Sequence, residues 1–498
     1  MEALRNPIIL GSVGLYMFVC IGFGIWAMGR TRSTRDFFMA GRQIGVVVAG
    51  LAVFSSTLSG FGFVGGPGLV YSMGMSSIWM VICASMGFTL SFFLLAKRLR
   101  LFAAARDTVS LPDAVCARYG SETTRLLTAI AILPGVMGYL ATQILAMATV
   151  LESILERTEL FGGVGLVACV AISSAVLVFY CVTGGIIASL YTDLVQGGVM
   201  VVAALLVFVT TLYTVDGGAA GAVQIIMRDD PEAIGPWGTL GMLGCLSWYF
   251  MFALGGAGQP HIVTKFMMNK SVSDARRVLP LTVGSFTLAA LLWISIGLTM
   301  RALVLQGTHP ELANADAAAS EFLQSYAHPL LAGVVFAGLF AAIMSTADDF
   351  LNIGAAAVVH DIPMALRGRS LRNELRAARI ATGVIALAAA LFALYSHYQN
   401  ERLVALLGAF GWGTFAAALV PTVAIGFNWK RATATAANTA IVASLAINFT
   451  IELLDVEIPF GIHGGTISLL ASIVLFLGIS LLSPPAKLAP DIEAVMDV

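Results

Sequence analysis

Residues 340–352 read Phe340-Ala341-Ala342-Ile343-Met344-Ser345-Thr346-Ala347-Asp348-Asp349-Phe350-Leu351-Asn352, an apolar run with two adjacent carboxylates. The run lies inside a longer apolar stretch, 329–357, which exceeds the roughly 20 residues a helix needs to cross a bilayer core. Ionisable groups at that depth are expensive and mark ion or substrate paths. At about 3.6 residues per turn, Ala342 lies beneath Ser345 and Thr346, and Ser345 lies beneath Asp348 and Asp349. One helix face therefore stacks a backbone carbonyl, two hydroxyls and two carboxylates. Hard cations such as sodium take oxygen ligands of this kind, and no histidine or thiol accompanies them. Calcium and magnesium obey the same oxygen logic and stay open at this point.

The rest of the chain fits a membrane setting. Of 498 residues, 58% are hydrophobic and 11% charged, against about 25% charged in a typical soluble domain. A mean hydropathy of +0.91 leaves too little polar surface to coat a globule. The 27 basic and 28 acidic residues nearly cancel, which excludes a nucleic-acid-binding charge excess. No Walker A sequence occurs, so no ATP coupling is expected within this chain. The six cysteines have no CxxC spacing and the six histidines no HExxH pattern, so disulfide and zinc frameworks are poor readings. An all-α polytopic membrane protein follows, with the lipid bilayer as its first partner.

Thirteen apolar segments emerge, near 8–28, 45–70, 76–96, 126–152, 161–181, 186–213, 238–257, 279–304, 329–357, 380–397, 402–426, 433–453 and 463–483. Of the 27 lysines and arginines, 22 fall on one set of loops, Lys265 counted among them. The opposite side holds Arg5, Arg157, Arg228, Arg301 and Arg402. The positive-inside rule then puts the N-terminus outside and the C-terminus in the cytoplasm of a cell membrane. An odd helix count demands the same.

Once loop charges are assigned, Asp193, Asp348 and Asp349 remain within segments, with no basic neighbour one turn away. They are expected to be partnerless carboxylates that take up protons or collect cations. Asp113 and the pair His360-Asp361 fall on the cytoplasmic side, where solvation or capping is expected. Two segments look broken. One carries Ser55-Ser56-Thr57-Leu58-Ser59-Gly60-Phe61-Gly62-Phe63-Val64-Gly65-Gly66-Pro67-Gly68, the other Leu254-Gly255-Gly256-Ala257-Gly258-Gln259-Pro260. Irregular backbone at membrane depth is tolerated where it lines a cavity or an ion site. The two breaks lie five segments apart, as two inverted halves require.

Taken together, these residues resemble the sodium:solute symporter family, whose members include proline, pantothenate, galactose and sialic-acid symporters. The anchors are Gly41-Arg42, Tyr191-Thr192-Asp193-Leu194-Val195-Gln196, Gly258-Gln259-Pro260-His261 through Phe266, and Ile343-Met344-Ser345-Thr346. The resemblance implies a leucine-transporter-like fold of about 13 transmembrane helices, a 5+5 inverted repeat with one extra N-terminal and two extra C-terminal helices. On that plan 1–44 holds the extra helix and a cytoplasmic loop, 45–213 and 238–426 are the two repeats, 427–483 the last two helices and 484–498 a cytoplasmic tail. It also implies a main sodium site from the carbonyls of Ser55, Leu58 and Ala342 and the hydroxyls of Ser345 and Thr346. A second cation site, found in some relatives, would use Asp193, Ser345, Asp348 and Asp349; those relatives have serines where this chain has the two aspartates.

Family geometry places the solute near Thr57, Ser59, Phe61, Tyr139, Gln143, Trp248, Phe252 and Gly256. Tyr139 matches a tyrosine of the proline symporters, whereas Thr57 stands where they have an acidic residue. No basic residue is expected at pocket depth, so a solute carboxylate would meet helix N-termini or the bound sodium. The expected function is sodium-coupled symport of a small organic solute, an amino acid or small carboxylate first, by a protein working as a monomer. No enzymatic activity and no cofactor are expected, sodium being the coupling ion. A sugar or polyol symporter, or a solute-binding membrane sensor of the same fold, are the alternatives.

Overall fold

The computed structural model describes every residue except 1–4, 29–33, 41–43, 159–160, 401–403, 455 and 498. The Gly41-Arg42 anchor therefore lies outside the described residues, as does Arg402. Among the described residues the chain is helical, with one isolated bridge between Ile44 and Asn269. The main helices are α1 (Arg5–Met28), α2 (Val46–Gly60), α3 (Gly66–Met73), α4 (Ile78–Ser91), α5 (Lys97–Arg106), α6 (Leu111–Tyr119), α7 (Glu122–Glu156) and α8 (Leu166–Thr214). They continue as α9 (Gly241–Tyr249), α10 (Pro260–Met268), α11 (Ala275–Leu305), α12 (Pro329–Ala356), α13 (Glu374–Asn400), α14 (Val404–Leu419), α15 (Ala434–Leu453) and α16 (Gly464–Leu482).

Eleven stretches among the described residues are long and apolar enough to cross a membrane. Thirteen were expected, and the difference lies in two places. Segments 45–70 and 76–96 run together in the helical stretch Val46–Arg106, and segment 161–181 corresponds to the shorter apolar helix Leu166–Phe179. The latter is the front half of α8, which turns at Gly185 (φ 56°). Only a residue without Cβ adopts that backbone cheaply, and the Phe37 ring fills the space: a Cβ there would lie 2.7 Å from it.

Large apolar side chains cover the outside, as they do when the surrounding solvent is lipid. Phe18, Phe93, Val384, Leu387, Leu391 and Leu482 are all exposed. So wide an apolar surface would drive association in water. The centre is α12, buried without interruption from Gly338 to Asn352. It packs against α1, α2, α7 and α8. Alanines at 341, 342 and 347 let these backbones approach closely, as membrane interfaces require.

Candidate functional site

The first break is set by one residue. Ser59 takes φ 50° and ψ −179°, so α2 turns sharply there. A non-glycine residue in that region costs about 1–3 kcal/mol and persists only where its surroundings hold it. Two side chains do so. Phe61 N donates to Ser59 Oγ at 3.1 Å, and Gly60 N donates to Gln143 Oε1 at 2.9 Å. The amides freed by the break are thus bonded internally, as the membrane interior demands. The glycines of 60–68 were expected to unwind; instead they continue as a wide turn, Phe61–Gly65, and then as α3. Their smallness serves packing, since a Cβ on Gly66 would lie 2.4 Å from the Trp293 ring.

The second break falls where expected. Gly256–Gly258 form a tight turn, Gln259 is extended, and Pro260 opens α10, where its missing N–H costs nothing. Gln259 Nε2 donates to Gly255 O and Trp412 O, both at 3.1 Å.

Beside the first break, α12 touches α2 through oxygen. Thr346 Oγ1 donates to Ser56 O at 2.8 Å and to Ala342 O at 3.1 Å. Ser345 Oγ donates to Ala342 O at 3.0 Å, and Ser55 Oγ to Ala52 O at 3.3 Å. The Leu58 carbonyl accepts from Phe61 N at the end of α2. Ser55, Ser345, Thr346 and Ala342 are fully buried and Leu58 nearly so. The residues expected to hold sodium therefore lie on two helices joined by a direct hydrogen bond.

The carboxylates overturn one expectation. Asp193, Asp348 and Asp349 are buried, but they are not without a basic partner. Lys265, assigned by its sequence position to a cytoplasmic loop, is 3% exposed on α10. Its Nζ lies 2.6 Å from Asp349 Oδ2 and 3.6 Å from Asp193 Oδ2. It also donates to Ala52 O at 2.7 Å and to Ser56 Oγ at 2.8 Å. A basic residue does sit at membrane depth. Asp348 points elsewhere: its Oδ1 accepts from Ser189 Oγ at 3.0 Å, while its Oδ2 has no hydrogen-bond partner among the described residues. Buried ion pairs seldom stabilise a fold relative to apolar packing, because desolvation offsets the Coulomb gain. Their retention here points to function.

Two cavities flank this centre. A narrow one, with room for about 10 Å³, is lined by Thr57, Leu58, Phe61, Met80, Ala84, Tyr139, Phe252, Phe286, Trp293 and Trp412. Four of the expected solute residues are there: Thr57, Phe61, Tyr139 and Phe252. Ser59 and Gln143 are spent on the break, Trp248 lies tilted against Phe252 with centroids 6.3 Å apart, and Gly256 packs tightly against Gly87. Phe286, Trp293 and Trp412 were missed; they lie on α11 and α14, where no local motif marks them. The other cavity, about 30 Å³, lies against His261, Lys265, Asp349 and Asn352 and reaches Ser110 and Asp361. His261 is buried among the rings of Tyr139 (6.0 Å), Phe350 (4.8 Å) and Trp412 (6.2 Å), forming a thin floor between the cavities.

Asp113, His360 and Asp361 were expected to be solvated or capping; Asp113 and Asp361 are buried. His360 bonds Asp113 Oδ2 at 3.0 Å and Glu374 Oε1 at 2.7 Å, Arg125 pairs with Asp113 Oδ1 at 3.1 Å, and Ser110 Oγ donates to Asp361. Burial alone would raise the Asp113 carboxyl, yet His360, the Val109 N–H and Arg125 together hold it below the usual carboxylate range. The cluster fastens α6 to the end of α12 and the start of α13.

A family model described as the sodium:solute symporter family matches residues 37–443. The high-affinity proline transporter PutP of Bacillus subtilis (strain 168) is 29% identical over 415 residues, covering 82% of this chain and 85% of its own. The sodium/pantothenate symporter of Escherichia coli (strain K12) is 25% identical over 469 residues, covering 93% of this chain and 94% of its own. Among solved structures, a substrate-bound, outward-open Na⁺-coupled sialic acid symporter superposes with a TM-score of 0.78 at 21% identity, covering 97% of this chain and 99% of that one.

Proposed function

The chain belongs to the sodium:solute symporter family, and from that premise we propose that the niche between α2 and α12 binds the sodium ion that drives uptake. The protein is a multi-pass membrane transporter that couples sodium to a small organic solute. In this reading the carbonyls of Ser55, Leu58 and Ala342 and the hydroxyls of Ser345 and Thr346 are the ligands. The observation that carries it is the Thr346 hydroxyl bonding Ser56 O, which seats two hydroxyls of α12 against α2 beside its break. Sodium is cargo here, and no other cofactor is required.

The solute takes the aromatic site around Thr57, Phe61, Tyr139 and Phe252, which widens to admit it. No charged side chain lines that cavity among the described residues. A solute carboxylate is then met by the N-terminus of α10 or by sodium itself, which favours an amino acid or small carboxylate. Trp248, Gly256, Ser59 and Gln143 shape the breaks that frame the cavity. The repeats 45–213 and 238–426 rock against each other around it, in a thirteen-span monomer of the plasma or inner membrane. Its N-terminus is outside, its C-terminus is cytoplasmic, and it has no enzymatic activity. Sodium acts by binding one conformation better than the other, the only way a ligand shifts such an equilibrium. Each charge crossing 100 mV supplies about 2.3 kcal/mol.

The test is uptake of radiolabelled proline and of pantothenate into proteoliposomes under a sodium gradient, after a thermal-shift screen of amino acids, monocarboxylates and sugars widens the choice of solute. Ser345→Ala with Thr346→Ala should cut sodium-driven uptake at least about tenfold, some 1.4 kcal/mol or more, with membrane insertion unchanged. An unaltered sodium dependence would remove the ligand assignment.

A further inference from the structure

Resting on the sodium-symport reading, we propose that the Lys265 ammonium is itself the resident cation of the second site, so that a single sodium ion accompanies each solute. A lysine ammonium carries three N–H donors and no acceptor. The structure gives it two hydrogen-bond acceptors, Ala52 O at 2.7 Å and Ser56 Oγ at 2.8 Å, and an ion pair with Asp349 Oδ2 at 2.6 Å. Asp193 adds a second carboxylate at 3.6 Å. A carbonyl, a hydroxyl and carboxylates drawn from α2, α12 and α8 are the ligand set a hard cation would choose. With Nζ already against Asp349, those oxygens have no place for a second ion of the same sign.

The pair explains itself chemically. A buried ammonium without a carboxylate, or Asp349 without an ammonium, would each leave an uncompensated charge in an apolar interior. Ser56 links the two cation positions, because its hydroxyl accepts from Lys265 while its carbonyl accepts from Thr346. The ammonium is also tethered to α10, the half-helix that follows the second break. Seating it therefore ties α10 to α2 and α12. A mobile sodium ion at the same spot would be released at each cycle; a tethered ammonium is kept.

Equilibrium binding of radioactive sodium to the purified full-length protein tests this with sodium alone as the probe. Wild type should bind about one sodium per chain with a Hill coefficient of about 1, as should Lys265→Arg, which keeps the charge. Lys265→Met combined with Asp349→Ser vacates the position and should bring binding to about two per chain with a Hill coefficient above 1. Wild type binding about two sodium ions would overturn the inference and leave the sodium-symport reading intact. So would a correctly folded double variant that stays at about one. Sodium binding absent from wild type would remove the symport reading, and this inference with it. Should the double variant fail to fold, the wild-type and Lys265→Arg counts still decide.

Discussion

Gln143 holds the first break with a single oxygen. Its Oε1 accepts from Gly60 N at 2.9 Å, while its Nε2 bonds nothing among the described residues. Gln143→Leu keeps the shape and deletes the acceptor, leaving a buried N–H unpaired at a cost of about 1–3 kcal/mol. Thermal unfolding in detergent should show that loss, and Gln143→Glu, which keeps an acceptor, should show less of it; equal midpoints for wild type and Gln143→Leu would refute the role. Side chains of this sort were only half legible in the sequence. Ser345 and Thr346 could be read because they sit one turn from Ala342 on the same helix, where spacing alone fixes their neighbours. Lys265 could not, because positive-inside bookkeeping assigns any lysine near a segment end to the loop. The available signal was a deficit: three buried carboxylates demand a cation, and Lys265 lies within the apolar run His261-Ile262-Val263-Thr264 and Phe266-Met267-Met268.

At the scale of helices, hydropathy located the spans but not their joints. Glycine and proline clustering marked both broken segments correctly, yet in the first the turn falls at Ser59, a serine paired with Gln143 from another helix. The glycines answer a different need, close approach by Trp293, which comes from α11 and leaves no mark in the local sequence. By contrast 161–181 and 186–213 read as separate segments, and the backbone does leave the helical conformation between them, at Gly185. The cluster around Asp113 is a third case. Asp113, Arg125, His360 and Glu374 lie on four stretches of chain, so only the packed helices bring them together. Contacts within one helix were legible; contacts between helices were not.

For the molecule as a whole, charge asymmetry predicts the orientation, and moving Lys265 from loop to core weakens that asymmetry by one residue without reversing it. In a cysteine-free background, Lys487→Cys should react in intact cells only with a membrane-permeant maleimide, and Glu311→Cys with an impermeant one. The reverse pattern would invert the topology. Composition and segment count were enough for the membrane class and for the pairing of two broken segments, since both depend on averages over many residues. The solute was not legible, because the cavity wall is assembled from rings on α7, α11 and α14 and from Phe61 and Phe252 beside the two breaks.

The central claim is that oxygen atoms of α2 and α12 bind sodium. The most direct measurement is the thermal midpoint of the purified protein as sodium chloride replaces choline chloride at constant ionic strength. A ligand at about 100 times its Kd stabilises the state it binds by about 2.7 kcal/mol. Sodium should therefore raise the wild-type midpoint and leave Ser345→Ala/Thr346→Ala unmoved. An equal rise in both proteins, or none in wild type, would contradict the account.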